Sequence, residues 1–158
     1  PVLAKQYTES LDGWKRAADA LNGIAERLAS HGMFTGYHNH MKELKPVDGL
    51  VPLEVLVSRT RPEVVFQLDT GNALVGGGDP AGLIERHPGR CRTIHLKEHG
   101  GAAGAIIGEG DVDWARLLPL AAGTGKAEWF IVEHEKDPTT ALADVGKCLR
   151  NLRRLTAG

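Results

Sequence analysis

Residues 11 to 30, LDGWKRAADALNGIAERLAS, place Trp14, Ala17, Leu21, Ile24 and Leu28 at helical spacing, which predicts an amphipathic helix stopped at His31-Gly32. MFTGYH (33 to 38) then reads as a short buried strand, and LVPLEVLVSRT (50 to 60) as a helix ended by Arg61-Pro62. VVFQLD (64 to 69) is β-branched and apolar with little alternation, as in a strand covered on both faces. TGNALVGGG (70 to 78) reads as a loop. A helix follows, with Asp79 as its N-cap and Pro80 at its first position. CRTIHLK (91 to 97) is the third strand pattern, and the glycine-rich stretch 98 to 111 is a loop too long for a simple turn. Asp113 caps a helix through WARLLPLAA, WFIVEHE (129 to 135) is the fourth strand, and Asp137-Pro138 is expected to open a final helix.

One helix followed by four strand-helix units predicts an α/β chain with a parallel sheet and right-handed crossovers. No linker interrupts the pattern, so residues 1 to 158 are expected to form a single domain. Each strand ends in a residue able to ligate a metal: His38, Asp69, His95 and Glu133, at intervals of 31, 26 and 38. An eight-fold β/α barrel spends roughly 250 residues on eight units, about 31 each. The chain therefore has the dimensions of a partial (β/α)8 barrel. An open doubly wound sheet would usually carry a glycine-rich phosphate turn after its first strand, and HNHMKELKPVDG is not one. GTGK (123 to 126) lacks the full phosphate-loop pattern and follows no strand.

Composition changes this picture little. A net charge of -1 offers no basic field for nucleic acid or an anionic membrane, and no apolar run approaches a membrane span. Cys91 and Cys148 make no disulfide framework and read as reduced thiols, so a cytoplasmic setting is expected. No signal-peptide pattern is visible. The chain begins at Pro1 without a methionine, and the gene start is expected to lie upstream.

Strand ends converge at the mouth of a barrel. There His38, Asp69, His95 and Glu133 would offer two imidazoles and two carboxylates to one divalent ion, suited to Mn, Mg, Co or Zn. His38 and His40 share one side of the extended chain, Asn39 points the other way, and Glu43 lies just beyond. Any of His38, His40 and Glu43 completes the shell on this reading. Lys97 shares the side of His95 and is placed either to bind a substrate oxygen or to pair with Glu135. Asp111 and Trp114 read as turn and packing residues. The loop that starts at Glu98 and His99 is expected to close over a substrate.

At these residues the chain resembles the sugar phosphate isomerase/epimerase family, the xylose-isomerase-like barrels. GYHNHMKE, FQLDTGNALVGGGDP, RTIHLKE, GEGDVDW and WFIVEHE carry the resemblance in the family's order, and LNGIAERLASHG fits the family's fourth helix. The resemblance implies the C-terminal half of a barrel, about strands 5 to 8, with one divalent metal on ligands from those strands. Asp69, His95 and Glu133 match the ligands of strands six to eight; the fifth strand, commonly ending in glutamate in ketose epimerases, carries His38 here. HNH variants resemble the subgroup around inosose dehydratases and related sugar epimerases. The implied activity is isomerisation or epimerisation of a sugar, keto-sugar or inositol derivative by proton transfer through an enediolate. Glu133 is the first acid/base candidate, with Glu43 or His38 as its partner, and His40, Asn72, Lys97 and Glu135 line the substrate. Dehydration on the same scaffold is the alternative reaction, and a catalytically silent half-barrel fragment the alternative state. No nucleic-acid or membrane partner is expected. The absent first half implies exposed sheet edges, and with them a homo-oligomer or pairing with a missing N-terminal half.

Overall fold

The computed structural model describes residues 3, 5–135 and 137–157. Four parallel strands form one sheet in the order β1-β2-β3-β4: β1 Thr35–His38, β2 Val64–Asp69, β3 Thr93–Leu96 and β4 Trp129–Val132. The registers Gly36↔Val65, Gln67↔Thr93 and His95↔Ile131 keep neighbouring side chains on a common face across the sheet. One face is covered by helices. The principal ones are α2 (Leu11–Ala29), α3 (Pro52–Arg59), α5 (Pro80–Arg86), α6 (Trp114–Ala122) and α7 (Ala141–Leu155), with a short α1 (Lys5–Thr8) ahead of them. A further short helix, α4 (Thr70–Val75), follows β2 directly.

Periodicity explains why α2 packs as it does. Trp14, Ala17, Ala18 and Leu21 are buried and join a core with Leu53 and Leu56 of α3 and Val64, Phe66 and Leu68 of β2. Ser10 caps the helix by accepting from the Gly13 N–H at 3.1 Å, and Gly32, at φ 64°, turns the chain out of it. β2 and β3 are flanked by strands on both sides. β4 has an open edge, with Trp129 65%, Phe130 40% and Ile131 40% exposed. Among the described residues no helix is long and apolar enough to cross a membrane.

β1, β3 and β4 are shorter than their sequence patterns, and Met33 and Phe34 lie exposed ahead of β1 rather than in a buried strand. Three further segments differ from the sequence expectation. TGNALV is helical rather than a loop, because the Asp69 carboxylate accepts from the Asn72 N–H at 2.7 Å and starts a turn. The last helix begins at Ala141, not at Pro138. Asp137 Oδ1 instead takes the N–H and hydroxyl of Thr139, closing a separate turn ahead of the helix. The glycine-rich segment is no free lid. Glu98 accepts from the N–H groups of His99, Gly108 and Val112 and from the Trp114 indole at 2.8 Å, while Ile106 and Ile107 enter the core. Trp114 is indeed a packing residue, 3% exposed.

Candidate metal centre

Parallel strands bring their C-terminal ends to one side of the sheet, and the four polar strand ends meet there. His38 closes β1, Asp69 closes β2, His95 lies within β3 and Glu133 directly follows β4. One potential ligand atom from each falls within 4.8 Å of all the others. Ligands held roughly 2.0–2.2 Å from a single ion lie at most about 4.4 Å apart. The cluster therefore needs only a small contraction to enclose a divalent cation.

The electrostatics are those of an unbalanced site. Asp69 is fully buried. Its Oδ1 accepts from the Asn72 N–H, but its Oδ2 has no hydrogen-bond partner and faces His38 Nε2 at 4.0 Å. His38 Nδ1 is also buried without a partner. Burial pushes the Asp69 carboxyl up to about 6, against the pull of the Asn72 N–H, and the nearby Glu133 adds to the rise. Burial also lowers His38, helped by the neighbouring His95 and His40. Burial works to raise Glu133 as well, but hydrogen bonds from Lys97 at 2.7 Å and from His95 Nδ1 outweigh it and hold that carboxyl below its usual value. An unpartnered buried carboxylate oxygen and an unpartnered imidazole nitrogen are costly alone. A divalent ion would remove that cost, and two nitrogens with two carboxylates suit such an ion.

The other candidate residues divide. His40 is exposed, its ring edge-on to His38 with centroids 5.0 Å apart. Glu43 lies outside the four-residue cluster. It is buried, with Oε1 accepting from the Tyr37 hydroxyl at 2.5 Å and Oε2 from the His40 N–H at 3.1 Å. Lys97 bridges Glu133 and Glu135, so the Lys97–Glu135 pair is present. Asn72 is buried in the first turn of α4. A recess of about 150 Å³ adjoins the centre, lined by Lys97, Glu98, Ile106, Glu133, His134 and Glu135.

Sequence reasoning missed the residues that hold these strand ends in register. Asn39 is 2% exposed and pairs through its amide with both main-chain groups of Asp69. Thr70 is fully buried and bonds the main chain of Lys97. Gly71 must be small, since a Cβ there would lie 2.9 Å from Lys97 Cγ and 3.1 Å from its carbonyl oxygen. The signal for Asn39 was its alternation away from two histidines, toward a helix layer where an amide needs partners. For Thr70 no local signal existed.

The model of one family, the xylose isomerase-like TIM barrel, matches residues 2–155. The rhizopine catabolism protein MocC of Rhizobium meliloti is 30% identical over 147 residues, 81% of this chain and 45% of that protein. An inosose dehydratase of Clostridium botulinum is 26% identical over 161 residues, 89% of this chain and 53% of the enzyme. The crystal structure of a sugar phosphate isomerase/epimerase from Parabacteroides distasonis superposes with a TM-score of 0.81 at 26% identity, covering 97% of this chain and 55% of that one. The chain spans about half the length of these relatives.

Proposed function

Since this chain belongs to the xylose isomerase-like TIM-barrel family, we propose that its four converging strand ends form the metal centre of an enzyme that moves a proton next to a carbonyl of a sugar, keto-sugar or inositol derivative. The observation that carries the reading is the buried Asp69 Oδ2, unpartnered and facing His38 in a cluster of four ligand-type side chains. His38, Asp69, His95 and Glu133 are the residues that would hold the ion. A divalent ion in this place would stabilise negative charge developing on substrate oxygens.

The protein's own groups supply the rest. Glu133, kept ionised by Lys97 and His95, is the base placed to take a proton from the carbon beside the carbonyl, leaving an enediolate. His38, with its affinity for protons lowered by burial, would offer its nitrogen to the ion rather than to a proton. Glu43 lies outside the four-residue cluster, held by the Tyr37 hydroxyl and the His40 N–H, so it is assigned to holding the loop and His40 rather than to proton transfer. His40, Asn72, Lys97 and Glu135 are assigned to the substrate's hydroxyl groups. Return of the proton to the opposite face gives an epimer, and to the neighbouring carbon, with the hydroxyl proton moving to the old carbonyl oxygen, an isomer.

A second reading has its own support. Inosose dehydratases are among the relatives that match 89% of the chain. If the enediolate expels a hydroxyl on the adjacent carbon, with a proton to form water, the same site is a dehydratase. Incubation of the full chain with keto-inositols and ketoses in deuterated water separates the outcomes. Deuterium washed into recovered substrate or an epimer supports isomerase or epimerase chemistry. Stoichiometric loss of water supports dehydration. Absence of both exchange and loss of water on every ketone, with metal bound, contradicts both.

We assign the four strands to the second half of the barrel, with residues 1 to 158 acting as one domain. The free edges of β1 and β4 and the exposed Trp129, Phe130 and Ile131 support a missing complement, either four further β/α units or another copy of this chain. The 158-residue chain by itself should associate, and a monodisperse monomer in sedimentation would contradict this.

A further inference from the structure

At the mouth of the sheet, the ladder between strands is carried past its main-chain end by side chains. The β1–β2 register closes at His38↔Gln67. One residue on, Asn39 replaces a peptide group: its Oδ1 accepts from the Asp69 N–H at 2.9 Å and its Nδ2 donates to the Asp69 carbonyl at 3.4 Å. The β2–β3 register closes at Asp69↔His95. One residue on, Thr70 Oγ1 accepts from the Lys97 N–H at 2.9 Å and donates to the Lys97 carbonyl at 2.7 Å. Only the β3–β4 junction is continued by main chain, with the Glu133 N–H on the Leu96 carbonyl at 3.1 Å. Each rung is anchored beside or on a member of the cluster. Asn39 follows His38 and grips Asp69; Thr70 follows Asp69 and grips the residue two beyond His95.

We propose that Asn39 and Thr70 are positioning residues that set the separation of His38, Asp69 and His95 by locking the strand ends in register. The inference rests on the metal-centre reading above for its consequence, though not for its geometry. Both side chains are almost fully buried, at 2% and 0% exposed, so water cannot replace the bonds they make. Partners that orient metal ligands typically influence affinity by about 10–100-fold.

The test compares Asn39→Ala and the isosteric Thr70→Val with Thr60→Val in the full chain. Thr60 is also buried, at 6% exposed, and hydroxyl-bonded, but to Leu56 and Arg90 at the opposite end of the strands. Cobalt(II) is titrated into each protein and its visible spectrum recorded; amide exchange at Asp69 and Lys97 is followed without metal. Asn39→Ala and Thr70→Val are expected to weaken cobalt binding about 10–100-fold and to alter its spectrum, with Thr60→Val binding as the parent does. Asp69 should exchange at least about tenfold faster in Asn39→Ala, and Lys97 likewise in Thr70→Val. Folded variants with parental affinity, spectrum and exchange would overturn the proposal, as would an equal loss in Thr60→Val. Thr70→Val removes no volume, so it decides the matter if Asn39→Ala fails to fold. A parent protein that takes up no cobalt contradicts the metal-centre reading instead. The rungs are then judged on exchange alone: faster exchange sustains them and unchanged exchange overturns them.

Discussion

The two ends of the sheet carry polar clusters of opposite design. At the end where β2 and β3 begin, Arg90 gives hydrogen bonds to the carbonyls of Val57, Arg61 and Val64 and to the Thr60 hydroxyl, and its guanidinium lies 5.0 Å from the Phe66 ring centre. A charge there is matched by several acceptors, although its Nε has no partner. At the end where the strands finish, Asp69 Oδ2 and His38 Nδ1 are buried without partners, Asp69 Oδ2 faces His38 Nε2 at 4.0 Å, and two carboxylates share one small space. The first cluster ties α3 to the sheet. The second stores a cost that the chain by itself does not relieve, which marks it as a place for something else to bind. Barrel enzymes separate stability and chemistry along the strand axis in the same way.

The sharpest way to break this contrast is Asp69→Asn. It keeps the cap acceptor for the Asn72 N–H and removes the unbalanced charge. Metal affinity should fall by more than about 100-fold. The metal-free protein should become more stable at pH 7, on the order of 1–3 kcal/mol. The sign follows from a carboxyl raised from 3.8 to about 6: the native state holds its proton more tightly, so stability falls as pH rises between those values. Chemical denaturation of the metal-free variant checks it, and a loss of stability at pH 7 would contradict the charge imbalance. At the opposite end, Arg90→Ala should destabilise by about 2–4 kcal/mol through orphaned carbonyls, with cobalt affinity of the folded protein unchanged. A large loss of affinity there would erase the division of labour.

Acid should act on the mouth selectively. As pH falls below about 6, Asp69 takes up the proton that a metal must displace, and affinity should drop by up to about tenfold per pH unit. Burial lowers His38 as well, so it competes for protons less than a free imidazole would. Cobalt titrations between pH 5 and 8 read this directly, and a flat profile across pH 6 would contradict it. The smallest effect is expected at Glu135→Ala. Its side chain is 67% exposed, Lys97 keeps Glu133, and stability should change by less than about 1 kcal/mol in thermal melts.

Much of the frame was legible in the chain because the information was local. Strand ends of ligand type recur at barrel spacing, Asp79-Pro80 announces α5, and the helical period of α2 survives in its buried face even though Ile24 and Leu28 are only half-buried. What was not legible depends on partners far along the chain. α4 was hidden because TGN-GGG has the composition of a loop, and its first turn is made by the Asp69 carboxylate and by close packing of Gly71 on Lys97. Asn39 and Thr70 find their partners 30 and 27 residues away. Glu98 organises its segment through Gly108 and Trp114, 10 and 16 residues on. Glu43 has the residue type and position of a ligand, and only the fold shows Tyr37 and His40 already holding it.

The central claim is that the four strand ends are one metal-binding unit. Metal content by mass spectrometry of the full chain, after reconstitution with manganese or cobalt and beside Asp69→Asn, tests it most directly. The account predicts about one divalent ion per chain in the parent and none retained in the variant. An empty parent, or equal metal in both proteins, would contradict it.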